Sequence, residues 1–214
     1  MLSTTKTRVS CLAAVAATAL LTARPALAGP PLICFPFDVQ GARTLPMGAG
    51  GWHQTDPSYD VSRLVPDTLA LLTPDTPVIV RMETMRRATV YAAAHPPLGA
   101  SLLASLQERA RTASPDAAPL ARFDLGYLVE TYRQGGMAFK DNSLPRVDAI
   151  DGYQMVLDAL ALRSDPQIEF AAAIITYGGP RRAEHPDHVR RALNAAKQDQ
   201  LIAANAASHL AEHE

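Results

Sequence analysis

Helix-start signals recur along the chain from residue 76 onward, and they restrict the fold more than any other feature of the sequence. A capping residue, a proline in the first turn and a glycine near the end are the usual boundaries of an α-helix. Between them, apolar residues recur at the i, i+3, i+4 and i+7 spacing of a helix. The start signals are Thr76-Pro77, His95-Pro96-Pro97, Ser114-Pro115-Asp116, Asp151, Asp165-Pro166, His185-Pro186 and Asp199. We therefore predict an all-α domain over residues 60–214, with at least six helices and almost no strand.

Short helices joined by tight turns favour antiparallel helix pairs over one long four-helix bundle. The expected architecture is an orthogonal bundle or a short α-solenoid. The helix after Ser114 is expected to close at Gly135-Gly136. A shift of 34 residues aligns the segment that begins at Asp165 with the one that begins at Asp199, and this is the period of tetratricopeptide repeats. The Trp and Gly-Tyr signature of that repeat is missing, so the alignment favours stacked helix pairs over a true repeat array.

Residues 168–177 are apolar nearly all round after Glu169. A helix of this kind is buried on most sides, so we expect it at the centre of the packing. The side chains predicted to be buried there are Ile168, Phe170, Ala171, Ile174 and Ile175.

Residues 29–59 are rich in proline and glycine, and we predict that they form an extended N-terminal arm. Three large apolar side chains within five residues would favour aggregation if exposed, so the start of the arm is expected to pack on the helices. Asp38 is expected to cap or pair locally. The arm residues expected to contact the helices or a ligand are Cys34, Phe35, Phe37, Asp38, Trp52 and His53. The functional alternative for the arm is a clamp that covers a ligand groove.

Cys34 is the only cysteine expected in the mature chain, which therefore has no internal disulfide. A catalytic thiol needs a nearby cation, a helix N-terminus or a CxxC motif to lower its pKa. No helix is predicted to start at Cys34, the first basic residue after it is Arg43, and no CxxC motif is present. The expected role of Cys34 is that of a small buried apolar side chain.

The first 28 residues have the three parts of a secretory signal: a basic start, an apolar stretch at residues 11–22, and Ala26-Leu27-Ala28 before the cleavage site. The apolar stretch is too short to span a bilayer, so cleavage after Ala28 and a periplasmic or secreted location are predicted. Removing the three basic residues of the signal changes 20 basic and 21 acidic residues to 17 and 21, a net charge of −4. This acidic balance argues against a nucleic-acid partner, and no membrane span is expected after cleavage.

Three carboxylates lie inside predicted helices, at Glu83, Glu130 and Glu169. A di-metal bundle would need Glu-x-x-His pairs, but the residue three after each glutamate is Arg86, Arg133 or Ala172. Ordinary ion pairs along a helix are expected for Glu83 and Glu130. Glu169 is expected to lie in a first turn, where the helix dipole favours its charge.

The histidines form two short-range pairs, His185 with His188 and His209 with His213. The second pair has the spacing to hold a metal on one helix face, but no third ligand follows in sequence. A solvated C-terminal face is the favoured interpretation. No cofactor is predicted.

The segments Pro-Pro-Leu-Ile-Cys-Phe-Pro-Phe-Asp at residues 30–38, Arg-Met-Glu-Thr-Met-Arg-Arg-Ala at 81–88 and Asp-Gly-Tyr at 151–153 together resemble an uncharacterised exported bacterial family. The resemblance covers most of the mature chain. It implies a location in the bacterial envelope and adds no reaction mechanism.

No catalytic constellation is visible in the sequence, which favours binding over catalysis. The leading hypothesis is an exported helical binding or interaction module whose protein or small-molecule partner is unknown, because helical arrays commonly present concave binding surfaces. The second is an enzyme whose site assembles from distant residues, with Asp38, His53, Arg81 and Glu130 as candidates. The third is a metal carrier that uses His209 and His213.

Overall fold

The computed structural model describes residues 31–139 and 144–210, and within them the chain is helical with no strand. Two 3-10 turns, Val61–Arg63 and Gly179–Glu184, accompany the α-helices. The helices are α1 (Pro31–Cys34), α2 (Leu64–Leu71), α3 (Val78–Ala94), α4 (Pro96–Thr112), α5 (Ala118–Ala138), α6 (Gly152–Leu162), α7 (Pro166–Thr176), α8 (His185–Ala195) and α9 (Gln200–His209). The predicted all-α class is confirmed. The predicted signal sequence lies outside the described residues.

Three helix starts follow directly from capping aspartates. The side chain of Asp151 accepts from the backbone N–H of Gln154, and those of Asp165 and Asp199 cap α7 and α9 in the same way. Each aspartate satisfies one of the N–H groups that have no partner inside a helix. These three predicted boundaries are confirmed.

Three local features differ from the sequence prediction. The helix predicted to start at Ser114-Pro115-Asp116 begins only at Ala118, with Ala117 at the N-cap position and no side-chain cap. Residues 31–34 form one helical turn instead of extended backbone, which Pro31 permits because a first-turn residue needs no N–H donor. Helix α5 also continues through Gly135, the predicted end, to Ala138. A Cβ atom at Gly135 would lie only 2.5 Å from Cδ1 of Leu144, so this glycine allows close packing and does not end the helix.

Helix α7 lies at the centre of the fold, as predicted, and contacts α1, α3, α5, α6, α8 and α9. All five of its predicted core residues are buried, with Ile174 fully inaccessible to solvent. Its partly exposed Glu169 lies on the face toward α8. The central position of α7 therefore leaves one polar group available for contacts with a neighbouring helix.

Helix α5 pairs closely with α6, and α7 pairs with α8. The α5–α6 approach depends on two glycines, because a Cβ atom at Gly152 would lie 2.5 Å from the carbonyl oxygen of Gly126. In the part of the chain that the structure describes, no helix is long and apolar enough to cross a membrane.

Candidate functional site

A cleft of about 640 Å³ opens between the C-terminal half of α5, the start of α6 and the turn that follows α7. Its volume is within the usual range of about 300–1,000 Å³ for small-molecule sites. Its polar lining is Glu130, Arg133, Gln134, Asp148, Asp151 and Arg181. Its apolar and aromatic lining includes Pro31, Met137, Ile150, Tyr153, Ile175, Tyr177 and Pro180.

The α5 wall of the cleft is fixed by the buried carboxylate of Glu130. Its Oε1 atom accepts from Nη1 of Arg133 at 2.6 Å and from the backbone N–H of Tyr153 at 3.0 Å. Arg133 in turn donates from Nη2 to the carbonyl of Ile150 at 2.7 Å. The predicted Glu130–Arg133 ion pair is confirmed, and it also joins α5 to α6 and to the loop before it.

The opposite wall is the turn that carries Arg181. The guanidinium carbon of Arg181 lies 4.5 Å from the centroid of the Tyr153 ring, which is within cation–π range. Nη2 of Arg181 also donates to Oδ2 of Asp151 at 2.6 Å. Gly179 has φ +77°, a backbone conformation that favours glycine, and it allows the chain to turn sharply after α7.

Asp148 is the one charged residue on the cleft wall that has no ion pair or hydrogen bond with the described residues. Glu130 is paired with Arg133, and Asp151 with Arg181. The described lining therefore carries one negative charge that is not neutralised. An apolar side chain adds a second feature, because Met137 also lines the cleft and is 71% exposed.

Behind the cleft, a chain of short polar contacts connects Tyr153 to α7 and α8. The Tyr153 hydroxyl lies 2.5 Å from Oε2 of Glu184 and 2.7 Å from Nε2 of His188. Nδ1 of His188 lies 2.6 Å from Oε2 of Glu169, whose other oxygen accepts from Nε of Arg191 at 2.7 Å. Tyr153 is 1% exposed and His188 is 4% exposed. Burial, and then the contact with Glu184, raise the pKa of Tyr153.

The arm lies in a seat that adjoins the cleft and shares Gln134 with it. We define this seat as Glu83, Arg86, Arg87, Gln134 and Asn205. These side chains bond to backbone atoms of the arm. Gln134 accepts from the N–H of Leu32, Arg86 donates to the carbonyl of Ile33, and Glu83 accepts from the N–H of Phe37. Asn205 bonds to both the N–H and the carbonyl of Asp38, each at 2.8 Å, and Arg87 donates to the carbonyl of Leu45.

The candidate arm residues lie in or near this seat, and none is among the residues that line the cleft. Phe37 is buried and stacks on His209 with ring centroids 4.5 Å apart. Cys34 and Phe35 are partly exposed, so the prediction that Cys34 is a buried side chain is wrong. Its partial burial still raises the pKa of the thiol despite the opposing charge of Arg86. Asp38 accepts locally from the N–H of Gln40 at 2.8 Å.

Trp52 of the arm also contacts this seat, because its carbonyl accepts from Nη1 of Arg86 at 2.9 Å. His53 is exposed and lies edge-on to the Trp52 ring, with centroids 5.0 Å apart. Neither ring reaches the described lining of the cleft.

Of the four candidates for a dispersed catalytic site, only Glu130 lines the cleft. Arg81 is fully buried and donates to Oδ2 of Asp124 at 2.7 Å, with both side chains inaccessible to solvent. Burial raises the pKa of Asp124, and Arg81 opposes that rise. Arg81 therefore stabilises the packing of α3 on α5, away from the cleft.

His209 is buried beneath Phe37, which corrects the prediction of a solvated face. Its Nδ1 atom lies 2.8 Å from the hydroxyl of Ser208. Its proposed metal partner, His213, lies outside the described residues. Among those described, no group of three or more histidine, cysteine or acidic side chains is arranged to hold a metal ion.

Sequence reasoning missed Asp148, Tyr153, Glu184 and Arg181 as neighbours in one site. The i, i+3 spacing of His185 and His188 placed a histidine near a helix start, but it did not indicate Tyr153 as a partner. These residues come from three places in the chain, the segment before α6, α6 itself and the 3-10 turn, and only the packing of α6, α7 and α8 brings them together.

Comparisons with protein-family models, with curated proteins and with solved structures found no match to this chain.

Proposed function

We propose that this chain is an exported binding protein of the bacterial envelope, and that its cleft holds a small amphipathic ligand with an apolar body and one cationic group. The carboxylate of Asp148, which has no partner among residues 31–139 and 144–210, carries the proposal, since the other charged groups of the described lining are already paired. A ligand amine or guanidinium is the group that would neutralise it.

The apolar part of the ligand is assigned to the wall that contains Met137 and Ile150. A large apolar side chain that is 71% exposed on a cleft wall gains from coverage by an apolar ligand, because contact removes its surface from water. The Tyr153 ring, with Arg181 over one face, forms the floor between the charged and apolar regions.

The test uses dansylcadaverine, a fluorescent naphthalene sulfonamide with a terminal primary amine, and neutral dansylamide as its uncharged analogue. Dansylcadaverine is expected to bind saturably with increased emission, and more tightly than dansylamide. Asp148→Asn should weaken dansylcadaverine binding by roughly three- to tenfold, as expected for loss of a partly solvated ion pair of about 0.6–1.4 kcal/mol, and should leave dansylamide binding unchanged.

The matched control is Asp116→Asn, which removes an exposed carboxylate that is not on the cleft wall. It should not change binding of either compound. Non-saturable emission, or equal effects of the two substitutions, would contradict the proposal.

Catalysis by Tyr153, His188 and Glu169 is the second candidate. The short contacts of 2.6 and 2.7 Å along this chain favour it, because a carboxylate that orients an imidazole is a common catalytic arrangement. The burial of Tyr153 and His188 opposes it, since a substrate must reach the reacting groups. Metal carriage by His209 and His213 would be supported by stoichiometric zinc binding and is removed by its absence in a titration.

The envelope location is tested separately. Intact-mass measurement of the protein recovered from the periplasm or medium should give a chain that begins at Gly29. A full-length chain retained in the cytoplasm would contradict export.

A further inference from the structure

Met137 is the most accessible methionine among the residues that the structure describes. Its side chain is 71% exposed, whereas Met82 and Met85 are fully inaccessible to solvent. Met47 and Met155 are partly buried. A buried thioether reacts with a dissolved oxidant only when the structure opens around it, and such opening requires free energy. The thioether of Met137 needs no opening, so an oxidant should modify it before the other four.

The position of Met137 on α5 places polar side chains beside it. Arg133 and Gln134 precede it by four and three residues on the same helix, and all three residues line the cleft. Side chains at these spacings are neighbours on the surface of a helix, and a long helical side chain leans toward the preceding turn. An oxygen added to the Met137 sulfur is therefore within reach of these two polar groups.

Gln134 offers a hydrogen-bond donor for such an oxygen. Its Oε1 atom accepts from the backbone N–H of Leu32 at 2.8 Å, which turns Nε2 away from the arm. Nε2 donates to no group within residues 31–139 and 144–210. The thioether of reduced Met137 is only a weak acceptor, whereas the sulfoxide is polar and its oxygen can accept from this NH₂ group.

We propose that Met137 is a reversible oxidation site, and that its sulfoxide makes the apolar wall of the cleft polar. The oxidant assigned to it is hydrogen peroxide. The sulfur lone pair attacks one peroxide oxygen, the O–O bond breaks and an S–O bond forms. The transferred oxygen gives its proton to the departing hydroxide, which leaves as water. Sulfur loses two electrons and the peroxide gains them.

The reverse step belongs to the methionine sulfoxide reductases. Two thiols are oxidised to a disulfide, and the sulfoxide oxygen leaves as water. The charge of the cleft is the same in both states, because neither the thioether nor the sulfoxide is ionised. Oxidation therefore changes the contact with the apolar body of a ligand and leaves Asp148 available to its cation.

Loss of this apolar contact should lower the affinity for dansylcadaverine by roughly fourfold, which corresponds to about 0.8 kcal/mol, the contribution of one buried methylene group. Neutral dansylamide should lose affinity by the same factor, because it carries the same naphthalene ring. The effect on ligand binding rests on the proposed function, whereas the selective oxidation of Met137 does not.

The direct test is peptide mass mapping of the folded protein after brief exposure to hydrogen peroxide, with urea-unfolded protein as the reference. Met137 should be oxidised at nearly the unfolded rate. Met82 and Met85 should be oxidised at least about tenfold more slowly than in the unfolded chain, since they react only from an opened state. Oxidation of Met137 no faster than that of Met155 would overturn the proposed site.

Met137→Leu keeps an apolar side chain and removes the sulfur. The ratio of its dye affinities before and after peroxide treatment should be close to one. The matched control is Met155→Leu, which removes a partly buried methionine that is not on the cleft wall. It should keep the wild-type response. A fourfold loss that persists in Met137→Leu would overturn the proposal, because another group such as the Cys34 thiol would then be responsible.

Two further measurements concern the oxidised protein. The side-chain NH₂ resonances of Gln134 should shift on oxidation of the wild type and not in Met137→Leu; unchanged resonances would refute the hydrogen bond to the sulfoxide. Methionine sulfoxide reductase with a thiol should restore the dye affinity, and failure to restore it would refute reversibility.

The dyes also separate failure of this inference from failure of the proposed function. If Met137 is oxidised selectively but neither dye binds in either state, the oxidation site stands and the ligand proposal fails. If the dyes bind with the same affinity before and after oxidation of Met137, regulation of the cleft by oxidation is refuted.

Discussion

Replacing Phe37 with alanine is expected to destabilise the fold by about 3–5 kcal/mol, the usual cost of truncating a buried phenylalanine. Phe37 is only 3% exposed. Its ring stacks on His209 with centroids 4.5 Å apart and meets Phe170 edge-on at 6.3 Å. The substitution removes these contacts while leaving the backbone N–H of residue 37 able to donate to Glu83.

The magnitude follows from two contributions. Burial of a large apolar side chain contributes about 1.5–3 kcal/mol, and each favourable aromatic pair adds about 0.5–1.5 kcal/mol. With two pairs, the sum is centred near 4 kcal/mol. That value is a large fraction of the total stability of about 5–15 kcal/mol expected for a domain.

The assay is urea unfolding followed by far-ultraviolet circular dichroism, with linear extrapolation to water. Phe35→Ala is the matched control, because Phe35 is two residues away but partly exposed, and it should lose less than half as much stability. Labelling of Cys34 by a thiol reagent gives a second measurement. Phe37→Ala should bring the labelling rate toward that of the urea-unfolded chain.

A loss below about 1 kcal/mol in Phe37→Ala, together with unchanged Cys34 labelling, would refute the reasoning. It would mean that the arm does not depend on the Phe37 contacts to stay on the helices. The packing of Ile33 and Phe37 on the helical body would then contribute little to the free energy of unfolding, although both side chains are buried.

Three further outcomes are expected. Ile174→Asp should lower the melting temperature strongly, because an unpaired charge in the packed interior is very costly; an unchanged melting temperature would count against this. Glu83→Gln should destabilise by about 3–5 kcal/mol, since it leaves the buried Arg86 without its carboxylate partner, and urea titration measures the loss. Burial lowers the pKa of His209 below its ordinary value of 6.5, so the unfolded chain binds more protons just below that pH and stability should fall on acidification. In His209→Phe, this part of the pH dependence should disappear from urea titrations at successive pH values.

The helical framework was predictable because its boundaries are local. Asp151, Asp165 and Asp199 each accept from a backbone N–H two or three residues ahead, so the sequence alone contains the whole interaction. The burial of residues 168–177 was predictable for a related reason, since a segment that is apolar all round has no face for solvent. The partly exposed Glu169 was placed in its first turn correctly, but its contact with His188 could not be predicted.

The errors arise where two distant segments determine the outcome. Gly135 was predicted to end α5 because glycine is common at helix ends. Leu144 packs where a Cβ atom of residue 135 would lie, so this glycine allows close packing inside the helix instead. His209 was assigned to a solvated face because no third metal ligand follows in sequence, whereas Phe37 from the arm covers it. The cleft likewise depends on Asp148, Arg181 and α5 meeting in space, and no spacing along the chain encodes that meeting.

The side chains that bind the backbone of the arm affect the order in which the chain folds. Asp38 and Asn205 are separated by 167 residues, and a chain is synthesised from its N-terminus. The seat of the arm is therefore complete only after α9 has been made, because Asn205 is part of it. Docking of the arm joins residues far apart in sequence, so it has a high contact order and is expected to be slow. A chain truncated before α9 is accordingly expected to leave Cys34 as reactive as in the unfolded protein, a result that thiol labelling of the truncated chain would show.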